Sequence, residues 1–420
     1  VIGPTNGTPE ATTASGFAVC QDGPVPLFRP FPGIRYDLAR VNLGDVISPP
    51  YDVIDDGERA RLAARSPFNA VRVDLPADDG GEDRYAVANR LFSSWQAEGV
   101  LVRDRQPTFT VYRMSYADDA GVARHTTGVI GALDLRPSGA EILPHEETTP
   151  KARSDRLDLL RACRANLSAI WGLSLAKGLT DLLPVDADPV ADVADDDGVR
   201  HTVWIVDRPE VCDAIAEAVT VQPVVIADGH HRYETCLTYL TERERSEGQT
   251  GEAAATLAYV VELVEDELTV RAIHRLLNGL PPGFDLVAAL EPWFEPAGPP
   301  PAGVPVTAAM IDAGALCAVL PSGEVLLRPR PDALADARDL DSVRLDLALA
   351  SLPAHEVTFQ HGPDNVRRAV ESGEAQAGVL LRPASVAQIE ATAHGGERMP
   401  PKTTFFHPKL RTGLVFRDLG

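Results

Sequence analysis

Gln222-Pro223-Val224-Val225-Ile226-Ala227-Asp228-Gly229-His230-His231-Arg232-Tyr233-Glu234-Thr235-Cys236-Leu237-Thr238-Tyr239-Leu240 is the segment on which the fold turns. A continuous apolar run stops at Asp228-Gly229, two histidines and an arginine follow, and a helical pattern begins at once. The pattern predicts strand, tight turn and helix. Gly229 lets backbone approach a ligand closely, the first N–H groups of a helix point outward, and Arg232 adds a forked donor. The turn therefore suits a phosphate or carboxylate. His230 and His231 can each donate to an anion or move a proton near neutral pH. The same pattern also fits a turn whose histidines only cap the helix or pack in the core.

Outward from this segment the chain reads as a mixed α/β protein. Asp55 is placed to cap a helix through Ala64. Asn69 to Leu75, with Val71 and Val73 alternating against Arg72 and Asp74, reads as a strand. Tyr85 to Glu98 is an amphipathic helix closed by Gly99, and Thr108 to Tyr116 and Gly128 to Leu135 read as sheet strands. Ser154 is an expected N-cap for a helix to about Arg164. That helix carries Arg153, Arg156, Arg161 and Arg164 on the same half as Leu157 and Leu160. Arginines mixed into an apolar side fit a cleft wall, and they also fit salt bridges or snorkelling. Asp181 to Gly198 is an acidic insertion, Glu242 to Gly251 is a polar loop, and the proline clusters of Pro281 to Pro305 mark a boundary. Beyond it come a hairpin around Pro321-Ser322-Gly323 and a β-α-β-α run from Val357. The expected organisation is a flexible tail over 1–26, a nucleotide-binding core over 27–280 and a C-terminal lobe over 281–420.

Composition narrows the classes of function. The 420 residues are 44% hydrophobic and 24% charged, with a mean hydropathy of -0.08. No run approaches the roughly 20 apolar residues of a spanning helix. Lys and Arg number 39 against 61 Asp and Glu, a net charge of -22. Such a field repels nucleic acid and anionic lipid. Five dispersed cysteines, with no CxxC pair and no zinc-ligand spacing, read as reduced thiols of a cytoplasmic protein. Val1 to Pro26 lacks the basic start and apolar core of a secretory signal. GxxxxGK[ST], GxSxG and a dinucleotide GxGxxG are all missing from the sequence.

Two further segments could carry chemistry. In Pro144-His145-Glu146-Glu147, adjacent carboxylates beside a histidine could supply a general base or ligands for Mg2+. An ordinary acidic loop reads the same way. In Arg398-Met399-Pro400-Pro401-Lys402-Thr403-Thr404-Phe405-Phe406-His407-Pro408-Lys409, prolines stiffen a loop carrying Lys402 and two hydroxyls. Such a loop can close over a phosphate or serve as a structural crossover.

Taken together, Phe28-Arg29-Pro30-Phe31, Ser48-Pro49-Pro50-Tyr51-Asp52-Val53-Ile54, Pro144-His145-Glu146, Asp155-Arg156-Leu157, Ala165-Asn166, the Ala227 to Thr235 turn and Met399-Pro400-Pro401-Lys402-Thr403-Thr404 resemble, in order, the blocks of a bacterial and archaeal family called domain of unknown function 1015. The Asp-Gly-His-His-Arg turn is also similar to the phosphate-binding turn of the ParB and sulfiredoxin superfamily, which includes free-serine kinases. That resemblance implies a ParB/sulfiredoxin-like nucleotide-binding core with an added α/β lobe. Gly229, His230, His231 and Arg232 would hold nucleotide phosphates, joined by Lys151, Arg153, Arg156, Lys402 and Thr403. Glu146 would be the base, with His145, Asp228 and His230 beside it, and Asp228 or Glu147 would hold Mg2+. The turn contains no cysteine and no basic helix-turn-helix follows it, which disfavours sulfinic acid reduction and partition-type DNA binding. The expected activity is phosphoryl transfer from a nucleoside di- or triphosphate to a small hydroxy metabolite, with serine as first guess. A non-catalytic sensor, or a hydrolase or lyase acting on a phosphorylated acid, remains an alternative. The expected partners are a nucleotide and a small-molecule substrate, with no nucleic acid and no membrane, and a homodimer is the assembly considered.

Overall fold

The computed structural model describes residues 27–78, 80–118, 121–136, 142–144, 151–248, 250–395, 399–400 and 402–420. Among these, nine strands form one sheet. Its order is Ile142–Pro144, Val224–Asp228, Ile170–Ser174, Ala255–Glu262, Ala123–Asp134, Phe109–Ala117, Arg200–Val206 and Ala191–Ala194, with Phe28–Arg29 also paired to Ala123–Asp134. Neighbours are antiparallel except at two places: Val224–Asp228 runs parallel to Ile142–Pro144, and Ala255–Glu262 runs parallel to Ile170–Ser174. Ala255–Glu262 is buried at every position, as an apolar central strand should be. Gly128 lies opposite Val261 because nothing larger fits. A Cβ there would sit 2.5 Å from the Val260 carbonyl oxygen and 2.7 Å from the Tyr259 ring. Gly128→Ala is accordingly expected to destabilise the fold by about 1–3 kcal/mol, the usual scale of overpacking. A urea midpoint equal to that of the parent would refute this.

A second sheet has the order Phe294–Pro296, Gly323–Pro329, Leu316–Leu320, Ala377–Leu380, Thr269–Asn278 and Glu356–His361, all antiparallel. Thr404–His407 pairs with the start of Thr269–Asn278. The hairpin expected at Pro321-Ser322 is present, with Leu320 opposite Gly323. The change of sheet falls between Glu262 and Thr269, earlier than the proline clusters suggested. Pro281 to Pro305 contains helix Leu286–Leu290 and strand Phe294–Pro296, whose Leu286, Leu290 and Phe294 belong to the second sheet's core. The last residues return to the first body, where Arg417–Asp418 pairs with Ala165–Asn166, Phe416 bridges to Ile34 and Thr412 bridges to Ser48.

Asp55 caps helix Asp56–Arg65 through Glu58 N, as its position implies, and Asp83 caps helix Arg84–Ala97. Asn69 to Leu75 is not a strand. Val71–Asp74 is a short helix, because the Asn69 side chain accepts from Val71 N and donates to the Asp45 and Ile47 carbonyls, closing a turn in place of a ladder. Val71, Val73 and Asp74 are all buried there, so the sequence alternation did not report two faces. The arginine-bearing helix spans Lys151–Cys163, so Ser154 lies in its first turn and is not its cap. No helix among the described residues is long and apolar enough to cross a membrane.

Candidate functional site

Strand Val224–Asp228 delivers a carboxylate to the sheet's end, and helix His230–Glu247 starts two residues later. Gly229 between them has φ 92, and a Cβ on it would lie 3.1 Å from the Arg232 guanidinium. Glycine is needed here both for the left-handed backbone and for Arg232 to fold back over it. The N-cap thus has no side chain to occupy the helix's first turn.

Arg232 is buried. It donates to the Ala169 carbonyl and, at 2.7 Å, to Asp228 Oδ2. Lys409 Nζ reaches the other carboxylate oxygen at 2.7 Å and stands over the Phe405 ring at 4.5 Å. Burial works against ionisation of Asp228, but Lys409 and Arg232 outweigh it and hold the carboxyl far below its ordinary range. One carboxylate between two cations leaves a net positive charge at a helix start, a local inversion of the chain's acidic field.

Helix Lys151–Cys163 packs against helix His230–Glu247 and brings Arg156 to the same neighbourhood. Arg156 is buried, donates to the Asp74 carbonyl at 2.6 Å and to Asp155 Oδ2 at 2.8 Å, and lies 4.1 Å over the Tyr51 ring. Asp155 is held below the ordinary carboxylate range: burial opposes this, and Arg156, Tyr85 and Arg84 prevail. Asp74 is different. It is fully enclosed, takes a 3.2 Å bond from Ser168, and burial raises its pKa despite Arg156 and Arg232. Arg156 and Arg232 line one narrow space of about 40 Å3 with Asp74, Ser168 and Cys236. Cys236 is packed as expected, against Thr256 at 3.3 Å, and burial raises its thiol pKa, which removes it as a nucleophile. Beyond Lys409 opens a cavity of about 620 Å3, walled by Pro49, Val53, Glu58, Tyr116, His407 and Arg411 among others, a size that suits a small molecule.

The structure therefore brings Asp228, Gly229, His230, His231, Arg232 and Arg156 into one region. Thr403 lies elsewhere, whereas Lys402 acts together with Lys409 on His361. Thr403 donates to the Pro400 carbonyl at 2.7 Å and bonds Ser342 at 3.0 Å, and it lines a separate cavity beside Asp341 and Arg382. The stiff loop instead contributes Lys409, seven residues after Lys402, which a sequence reading drawn to the prolines passes over. Asp74 was also missed, since it sits in a segment read as a strand with no motif of its own. Tyr51 had a signal, the rigid Pro49-Pro50 entry, but an aromatic under a guanidinium is a tertiary pairing. His145, Glu146 and Glu147 lie outside the described residues, as do the side chains of Lys151 and Arg153. Pro144, the last described residue before that gap, is opposite Ile226 on a parallel strand, so the chain leaves it at the Asp228 end of the sheet.

Mg2+ does not fit Asp228 as placed, because both its oxygens are engaged by cations. Among the described residues, no group of three or more His, Cys, Asp or Glu side chains could hold a metal ion.

Two sheets with flanking helices, and a carboxylate held between two cations at a strand–turn–helix junction, define a mixed α/β protein. The chain belongs to the family described as "Protein of unknown function (DUF1015)", whose pattern matches residues 28–348. No curated protein matches it significantly. Similar solved structures include a conserved hypothetical protein from Pyrococcus furiosus, 11% identical over 66% of this chain and 92% of that one, with a TM-score of 0.35. Free serine kinase in complex with AMP is 13% identical over 65% of this chain and 89% of that one, with a TM-score of 0.35. SbnI with C-terminal truncation from Staphylococcus aureus is 13% identical over 69% and 87%, with a TM-score of 0.38.

Proposed function

We propose that this protein transfers a phosphoryl group from a nucleotide to a small hydroxyl-bearing metabolite, with free L-serine the first acceptor to test. In this reading, a ParB/sulfiredoxin-like core over 27–280 and a lobe over 281–420 act together in the cytoplasm. The observation that carries the reading is the Asp228 to Arg232 turn: a positive-φ glycine, an 18-residue helix start and two cations on one carboxylate. Phosphoryl transfer asks for positioning and charge neutralisation more than covalent help. The turn would hold the phosphates through the first helical N–H groups, with His230 and His231 beside them. Arg232, turned inward, orients Asp228 and adds charge from behind. Lys409 borders the 620 Å3 cavity, where the nucleoside or the acceptor would lie. Glu146, in the segment that follows Pro144, would accept the hydroxyl proton.

Binding of ADP by calorimetry tests the assignment of the turn. Arg232→Ala is expected to weaken it by about 2 kcal/mol, roughly thirtyfold, as for loss of a charged partner in a dry site. Lys409→Met should also weaken it. ADP affinity unchanged in both variants would place the nucleotide elsewhere. Phosphorus NMR with ATP and a pool of hydroxy acids then separates a kinase from a sensor, since a sensor binds without turnover.

A further inference from the structure

In a chain of net charge -22, a place where cations gather needs a physical account. One such place lies on the second sheet, on the other side of Phe405 from the cavity beside Lys409. A cavity of about 640 Å3 opens between strand Thr269–Asn278, the end of strand Glu356–His361 and helix Pro363–Glu371. Arg271, His361, Arg367, Arg368 and Phe405 line it, and Asp364 is the one acidic residue among the described lining residues. Asp364 accepts from Arg367 at 2.8 Å, and Arg367 also pairs with Glu324 at 2.6 Å. Arg368 bonds the neutral Asn365 side chain at 2.9 Å, which leaves its charge uncompensated by that contact. Arg271 meets His407 Nδ1 at 3.1 Å, and the His361 ring packs 4.4 Å from Phe405. The convergence is felt at His361, whose pKa is lowered by its packing and then by Lys409, Lys402 and Arg271. His274 on the adjacent strand and Asp364, Arg367 and Arg368 on the helix complete its charged surroundings.

We infer that this cavity is a second anion site, separate from the Asp228 turn, which takes the phosphate or pyrophosphate group of a small molecule on Arg271, His361 and Arg368. Two guanidinium forks and an imidazole supply donors in the arrangement phosphate oxygens need. The bound anion is an attractive partner for the imidazolium, so binding favours the protonated ring, which then donates from both nitrogens.

The test uses the full chain with pyrophosphate as probe, followed by calorimetry and by the His361 ring resonance in NMR. Pyrophosphate is expected to raise the His361 titration midpoint, and Arg368→Glu to weaken binding about tenfold or more. Arg368 is exposed, so its replacement spares the core. Arg208→Glu, an equal change of charge at a distant exposed site, is expected to leave affinity within about twofold. Equal losses in both variants would mean a diffuse field and overturn the site. A His361 resonance indifferent to pyrophosphate would also overturn it, as would malonate binding as tightly, which would remove the phosphoryl assignment. Arg232→Ala separates this site from the proposed catalytic turn. If it abolishes pyrophosphate binding while Arg368→Glu does nothing, the anion sits at the turn and the second site is refuted. If the His361 response survives in Arg232→Ala but ADP binding fails, both assignments stand.

Discussion

Asp228→Asn is expected to destabilise the protein by roughly 3–5 kcal/mol, the scale for breaking a buried ion pair from one side. Asp228 carries two partners, Arg232 and Lys409, each bonded to a different oxygen and each with little exposed side chain. The neutral amide keeps the shape and leaves a guanidinium and an ammonium facing each other with no counter-charge between them. Guanidinium unfolding followed by circular dichroism reads the loss, and a change under about 1 kcal/mol would show that solvent already screens the triad. The pH dependence follows with a definite sign. The folded carboxyl is depressed, so its contribution is fully present above the unfolded carboxylate pKa and is lost as pH falls through the folded one. The parent should therefore lose stability in acid through this group and Asp228→Asn should not. Asp74 acts in the opposite direction: its folded pKa is raised, so the stability tied to its protonation is present in acid and lost as pH rises through that folded pKa. An Asp74→Asn variant at neutral pH is the control that keeps the two apart.

Glu146→Gln is expected to lower turnover by roughly a hundredfold while preserving ADP affinity, the usual consequence of removing a positioned base. Pro144 ends a strand parallel to Val224–Asp228, and helix Lys151–Cys163 packs against helix His230–Glu247. Glu146 and Glu147 are adjacent in sequence, so each is replaced in turn. Glu147→Gln is the comparison, and a metal-linked loss there should be partly rescued by added Mg2+. Full turnover in Glu146→Gln would overturn the assignment, and full turnover in both would remove the segment from the chemistry.

The turn was legible because a strand, a glycine and a helix start follow one another within ten residues, and each has a local cause. The cap at Asp55, the hairpin at Pro321-Ser322 and the packed Cys236 were legible for the same reason. Asn69 to Leu75 misled because Asp74 is buried together with Val71 and Val73, and because one asparagine side chain redirected the backbone.

By itself, then, the sequence determined the local geometry: a mixed α/β chain, an Asp228-Gly229 turn that only glycine can make, and an arginine helix ready to face inward. Tertiary structure alone decided what those groups meet. It turned Arg232 away from open space and onto Asp228 and Ala169, and it set Lys409, 181 residues from Asp228 along the chain, on the other carboxylate oxygen. It also returned Thr412 and Phe416 to the first body and placed Tyr51 beneath Arg156. The physical reason is that turns, caps and periodicity depend on neighbours within a few bonds. The sign and strength of a buried charge depend on partners brought close by strand pairing, whose register no local pattern encodes.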